Sequence, residues 1–197
     1  MVKPSTLLLS VASLVPSSQA YFGWGWCPLF KTYGGVQNFD PNRYQGNWYV
    51  IKKDKDGLYD RNSDCVTATY VYDPAWWKYY PVDVNNRAYK RDTDTVSEPS
   101  KFLGFIQPSV ARCDNMGNCG VKFLWWPEGN YQVIDTDYDT YSLVYGCDTW
   151  FGLFWTTNAW LLSRSETLPQ STIDYAANLL KTNVGDVYFP VDQQWID

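Results

Sequence analysis

From Gly46 to Ser165 the chain passes through eight short stretches rich in Val, Tyr, Thr and Trp, each closed by a turn signal, and no helical period appears until the last has ended. Apolar residues that alternate with polar ones mark strands with one buried face. The pattern places strands at about Gly46–Lys53, Cys65–Tyr72, Tyr79–Tyr89, Phe102–Cys113, Cys119–Trp126, Tyr131–Asp137, Tyr141–Asp148 and Thr157–Ser165. Their connections favour hairpins: "DNMGN" between Cys113 and Cys119, "PEG" at Pro127–Gly129, and the tight "DYDT" at Asp137–Thr140. Eight antiparallel strands suffice to close a barrel with room for a small ligand. Beyond them, Ile173, Ala176, Ala177 and Leu180 recur at helical spacing, with Pro169 before and Gly185 after. The expected fold class is therefore all-β: an eight-stranded antiparallel up-and-down β-barrel with one C-terminal α-helix packed outside.

At 197 residues the chain suits one domain. Its first twenty residues have the make-up of a secretory signal peptide: Lys3 in a short positive head, an apolar run from Leu7 to Val15, then Ser18-Gln19-Ala20 before the expected cleavage. The apolar run is too short to span a bilayer. The expected organisation is a signal over 1–20 and a single domain over 21–197, with the barrel at about 44–165, the helix at about 168–183 and a tail over 184–197. Secretion suits the five cysteines, since an oxidising compartment lets disulfides persist, and the odd number leaves one cysteine over.

Loss of Lys3 with the signal leaves 15 basic against 21 acidic residues, a formal charge of −6. That balance offers phosphates no anchor, so nucleic acid is excluded as a partner. The chain has no histidine, which removes His-dependent triads, His-ligated metal sites and the usual proton shuttle near neutrality. Against this stand 11 Trp, 16 Tyr and 9 Phe, more aromatic surface than a core of this size needs.

Three motifs, in order and at suitable spacing, resemble the signature of the lipocalin family. "FDPNRYQGNWYVI" is similar to the Gly-x-Trp motif that opens the first lipocalin strand, with Gly46 and Trp48 as its fixed positions. "TDYDTYSLVYGC" resembles the Thr-Asp-Tyr turn and the strand after it, through Thr136, Asp137 and Tyr138. "AWLLSRS" resembles the last strand, whose arginine is Arg164 here. The branch most resembled is that of apolipoprotein D and the bilin-binding proteins, and the likeness covers nearly the whole chain after the signal.

The resemblance implies a barrel closed at one end and open at the other. Trp48 would plug the floor, with Arg164 over its indole face and Gly46 allowing a close backbone approach. In that branch the equivalents of Cys27 and Cys147 pair, while the equivalent of Cys65 bridges to a cysteine in the C-terminal tail. The tail here, "VDQQWID", contains none. Cys113 and Cys119 bracket a hairpin and are expected to staple it. The favoured pairing is Cys27–Cys147 with Cys113–Cys119, leaving Cys65 as the odd thiol; Cys65–Cys113 and Cys65–Cys119 are the alternatives.

Positions lining the cavity follow from the resemblance at Tyr70, Phe123 and Trp160. Alternation from the anchored positions adds Val50, Lys52, Trp125 and Leu162. Large rigid aromatics suit a flat, conjugated or lipid-like molecule, with tyrosine hydroxyls and Lys52 orienting a polar end. These residues would otherwise serve only as core. Trp125, Trp126 and Pro127, with "TWFGLFW" at Thr149–Trp155, are expected on loops rimming the open end, as a packed lid or as a contact for membrane, lipoprotein or a second subunit.

Asp135, Asp137 and Asp139 imitate a calcium loop, but Thr140 and Gly146 stand where an EF-hand needs Gly and Glu, so no metal site is expected. One lipocalin enzyme uses a thiol on the second strand, where Cys65 lies; activation of that thiol would fall to Lys or Arg alone. The expected function is that of a secreted carrier of a small hydrophobic ligand, with no catalytic residue and no cofactor beyond a bound lipid or pigment chromophore. Fatty acids, sterols, retinoid-like molecules, bilins and carotenoids are the candidate ligands. The alternatives are a protein-interaction lipocalin using its aromatic mouth, and a Cys65-dependent isomerase-like enzyme.

Overall fold

Burial along the first long strand alternates only as far as Val50, and that break proves important for the site. The structure is a computed structural model that describes residues 22–27, 35–54, 63–75, 78–90, 93–96, 101–102, 105–106, 109–123, 127–184 and 191–192, with backbone alone at 101–102, 105–106, 123, 184 and 191–192. The expected signal over 1–20 lies outside the described residues.

In chain order the elements are β1 (Phe22–Trp24), α1 (Pro41–Tyr44), β2 (Gly46–Lys53), β3 (Ser63–Tyr72), β4 (Val82–Lys90), β5 (Thr95–Val96), β6 (Lys101–Phe102) and β7 (Phe105–Ile106). There follow β8 (Ser109–Cys113), β9 (Asn118–Phe123), β10 (Gly129–Thr136), β11 (Tyr141–Trp150), β12 (Phe154–Ser163), α2 (Gln170–Val184) and β13 (Val191–Asp192). Antiparallel pairing runs β2-β3-β4-β8-β9-β10-β11-β12, and β12 pairs back onto β2. This is the closed eight-stranded barrel, and closure removes the open sheet edges that template aggregation. The last four residues of β12, Trp160 to Ser163, close onto β2, while its first three, Phe154 to Thr156, carry β1.

Three strand expectations need correction. Phe102–Cys113 is not one strand: Lys101–Phe102 pairs with Phe105–Ile106 in a separate small ladder, and the barrel strand begins at Ser109. Pro108 brings no N–H to a ladder, which fits a start just after it. The same reason fits β4, which starts at Val82, after Pro81, and not at Tyr79. Conversely, the β11–β12 hairpin is longer than expected. Thr149, Trp150, Phe154 and Trp155 are paired strand residues, and only Phe151, Gly152 and Leu153 form the turn. Stacked Trp150 and Phe154 rings, 6.4 Å apart, and a bond from Trp150 Nε1 to Thr156 Oγ1 at 2.9 Å hold those extra rungs.

Two apolar clusters divide the strands' faces. The interior cluster includes Trp48, Val50, Tyr70, Val84, Val133, Val144 and Leu162. The outer one puts Ile51, Ile134, Leu143, Ala159 and Leu161 under Ile173, Ala176 and Leu180 of α2. The helix thus docks by the stripe its sequence spacing marks, and burying each of its large aliphatics contributes about 1.5–3 kcal/mol.

Candidate functional site

The floor of the barrel is built around Trp48, which is fully buried. Asp40 caps α1 by accepting the Asn42 N–H at 2.9 Å, and Pro41 occupies the first turn, where no N–H is needed. This short helix brings the Tyr44 carbonyl to accept the Trp48 Nε1–H at 2.8 Å. Over the face of the indole lies the Arg164 guanidinium, 3.7 Å from the ring centroid. Its N–H groups donate to the carbonyl oxygens of Tyr138 (3.0 Å), Asn47 (2.9 Å), Arg43 (3.0 Å) and Tyr44 (3.3 Å). Gly46 has φ +98°, and a Cβ there would sit 3.3 Å from Arg164 Nη1. Left-handed backbone and a close cation together call for glycine.

The Thr136-Asp137-Tyr138 turn closes the same end. Thr136 Oγ1 accepts the Tyr138 N–H at 2.9 Å, and Asp137 Oδ1 accepts from the backbone N–H groups of Asp139 (3.1 Å), Thr140 (2.8 Å) and Tyr141 (3.0 Å). The Thr140 hydroxyl donates to Asp137 Oδ2. Burial alone would raise the Asp137 pKa, but these hydrogen bonds outweigh it and hold the carboxyl below its usual range. Asp137 is thus engaged as a turn cap.

Above the floor lies a cavity of about 120 Å³. One water needs only about 10–15 Å³ on this measure, so the space exceeds any ordinary packing defect. Val50, Tyr70, Trp160 and Leu162 line it as their positions in the sequence suggest. Lys52 does not line it. A bulge in the β2–β12 ladder skips Ile51, so that Val50 pairs with Leu162 while Lys52 pairs with Leu161, a residue of the helix-facing cluster. The phase flips there, and Lys53, 5% exposed, takes the face of its partner Trp160 while Lys52 stays half-buried. The side chains of Phe123, Trp125 and Trp126 lie outside the described residues.

Reading the sequence anticipated Tyr70 but missed the other polar groups beside it. Tyr44, from α1, and Tyr131, from β10, both line the cavity. Their hydroxyls form a chain with two others: Ser142 Oγ to Tyr44 Oη at 2.9 Å, Tyr44 to Tyr131 at 2.9 Å, and Tyr131 to Tyr70 at 3.0 Å. Burial away from water disfavours the phenolates, pushing Tyr70 up to about 12 and raising Tyr44 and Tyr131 as well. The chain stays neutral at physiological pH. Tyr131 also stacks on Trp160, with centroids 6.2 Å apart and planes at 24°. Higher on the same face of β12, Asn158 is 1% exposed, and its side-chain nitrogen and oxygen have no hydrogen-bond partner among the described residues.

Two disulfides are present, Cys27–Cys147 and Cys113–Cys119. The first ties the N-terminal segment to β11, helped by a bond from the Cys27 N–H to Thr149 Oγ1 at 2.9 Å. The second joins register partners across the β8–β9 hairpin, and both its cysteines line the cavity. Cys65 belongs to neither bridge. It lies half-buried near the start of β3, at φ +49°, within an irregularity of the β3–β4 ladder.

A closed antiparallel barrel with a plugged floor and an apolar interior space is, as a class, a container for small molecules. The model of the Lipocalin / cytosolic fatty-acid binding protein family matches residues 114–189. Apolipoprotein D of Macaca fascicularis is 33% identical over 154 residues, 77% of this chain and 74% of that protein. Apolipoprotein D of Bos taurus is 31% identical over 185 residues, 93% of this chain and 90% of that protein. Among solved structures, insecticyanin from the tobacco hornworm Manduca sexta superposes with a TM-score of 0.67 at 21% identity, over 89% of each chain. The chain belongs to the lipocalin family.

Proposed function

We propose that this lipocalin is exported from the cell and carries a small hydrophobic molecule in its barrel, binding it by burial without chemical change. The observation that carries this reading is the apolar cavity over a rigid floor, walled by Val50, Leu162 and the Tyr131–Trp160 stack. Preformed apolar space of this kind gains affinity by removing a ligand's surface from water, and its rigid rings lose little entropy on binding. Lipid, sterol, retinoid-like and bilin or carotenoid pigment ligands all fit that description. Carriage needs no catalytic residue, whereas an isomerase-like reading has only the position of Cys65 on β3 behind it.

The test is native mass spectrometry with an absorption spectrum on protein purified from its source. A bound small molecule supports carriage, and a barrel recovered empty in stable assembly with another protein overturns it.

A second reading has its own observation. At the end of the barrel away from Trp48, Phe22, Trp24, Trp26, Phe151 and Leu153 are exposed, Trp24 by 81% and Phe151 by 86%. The β1–β12 pairing and the β11–β12 turn bring them together. Such a patch favours contact with a membrane, a lipoprotein or a second subunit, in addition to the cargo.

A further inference from the structure

Four hydroxyl groups, those of Ser142, Tyr44, Tyr131 and Tyr70, are joined by three hydrogen bonds. Each hydroxyl carries one proton and each bond uses one, so one proton is left to donate elsewhere. Ser142 is fully buried in the wall. If the surplus proton were its own, Ser142 would have no second partner among the described residues to receive it, which is the costly arrangement for a buried donor. When Ser142 instead donates to Tyr44, every remaining arrangement leaves the surplus proton on Tyr44, Tyr131 or Tyr70, all three of which line the cavity. The hydroxyl chain therefore presents one O–H donor inward, low in the barrel, beside the flat face of the Tyr131–Trp160 stack. Among the described residues lining the cavity there is no Lys, Arg, Asp or Glu.

We propose that the cavity selects a flat, uncharged molecule whose carbonyl-type oxygen accepts this tyrosine proton, in preference to a pure hydrocarbon or a carboxylate. The inference rests on the carrier reading above and sharpens it. A hydrocarbon would leave the surplus donor unmet in an apolar space. A carboxylate would bring a charge to a wall whose described lining residues include no cation. A ketone or aldehyde meets the donor and adds no charge, and a conjugated body lies along the aromatic stack.

The experiment uses the mature chain and three probes of one shape: 2-acetylnaphthalene, 2-isopropenylnaphthalene and 2-naphthoate. Binding is followed at pH 7.5 by calorimetry, and the ketone's carbonyl band by infrared difference spectroscopy. The ketone is expected to bind about 5–10-fold more tightly than the alkene, the value of one ordinary hydrogen bond, with the naphthoate weakest. Its carbonyl band is expected at lower wavenumber than in a hydrocarbon solvent. In the triple variant Tyr44→Phe, Tyr70→Phe and Tyr131→Phe, which removes every chain hydroxyl that lines the cavity, ketone and alkene bind alike. Equal binding of ketone and alkene to the unaltered protein, an unshifted carbonyl band, or tightest binding of the naphthoate would overturn the proposal while leaving carriage intact. Binding of none of the three would overturn carriage of molecules of this size, and this proposal with it.

Discussion

The guanidinium of Arg164 lies 3.7 Å above the Trp48 indole while its N–H groups hold four backbone carbonyls from α1, β2 and the turn before β11. One side chain from the end of β12 thus ties together the start of the barrel, its floor and the Thr-Asp-Tyr turn. The cation–π contact contributes ~1–2 kcal/mol where partly desolvated, but satisfying four carbonyls is the larger structural role.

Trp48→Ala is therefore expected to cost about 3–5 kcal/mol, as for other fully buried large rings, and Arg164→Leu about 2–4 kcal/mol. Urea unfolding followed by circular dichroism measures both. An unchanged melting temperature for either variant would contradict the role given to this pair.

Stability should fall on both sides of neutrality for different reasons. Asp137 has a depressed folded pKa, so its contribution is present above the unfolded value of about 4 and is lost as pH falls through the folded one. Asp137→Asn should flatten that acid limb. Tyr70 has a raised folded pKa, about 12, so its contribution is intact below the unfolded value of about 10 and is lost between there and 12. Tyr70→Phe should flatten the alkaline limb. Denaturant midpoints collected from pH 2 to pH 12 test the two signs separately.

Asn158 is buried with both side-chain polar atoms unmet among the described residues, and a buried unmet amide costs about 1–3 kcal/mol. Asn158→Leu, which keeps the branched shape without the polar atoms, is expected to raise the melting temperature of the ligand-free protein by several degrees. A lower melting temperature would show that the amide is engaged after all.

The bulge at Ile51 sets two adjacent lysines on opposite faces. Reductive methylation, read by peptide mass spectrometry, should modify half-buried Lys52 well before Lys53, whose exposure is 5%. The reverse order would restore simple alternation through β2.

What could be learned from the chain alone is what local chemistry dictates. Alternation from Gly46 as far as Val50, the hairpin between Cys113 and Cys119, the turn at Asp137 and the stripe of Ile173, Ala176 and Leu180 all depend on residues a few positions apart, and each appears where the spacing places it. The three lipocalin motifs likewise mark the floor, where Gly46, Trp48, Arg164 and the Thr136-Asp137-Tyr138 turn meet. Tertiary structure decided the rest. Whether Lys52 or Lys53 turns inward depends on how β2 meets β12, over a hundred positions along the chain, where one skipped residue inverts every later side chain. The hydroxyl chain joins residues separated by 98, 87 and 61 positions, one of them in a helix that precedes the barrel. No periodicity marks Tyr44 or Tyr131 as partners, since only closure of the sheet brings their hydroxyls within hydrogen-bonding reach and withdraws them from water.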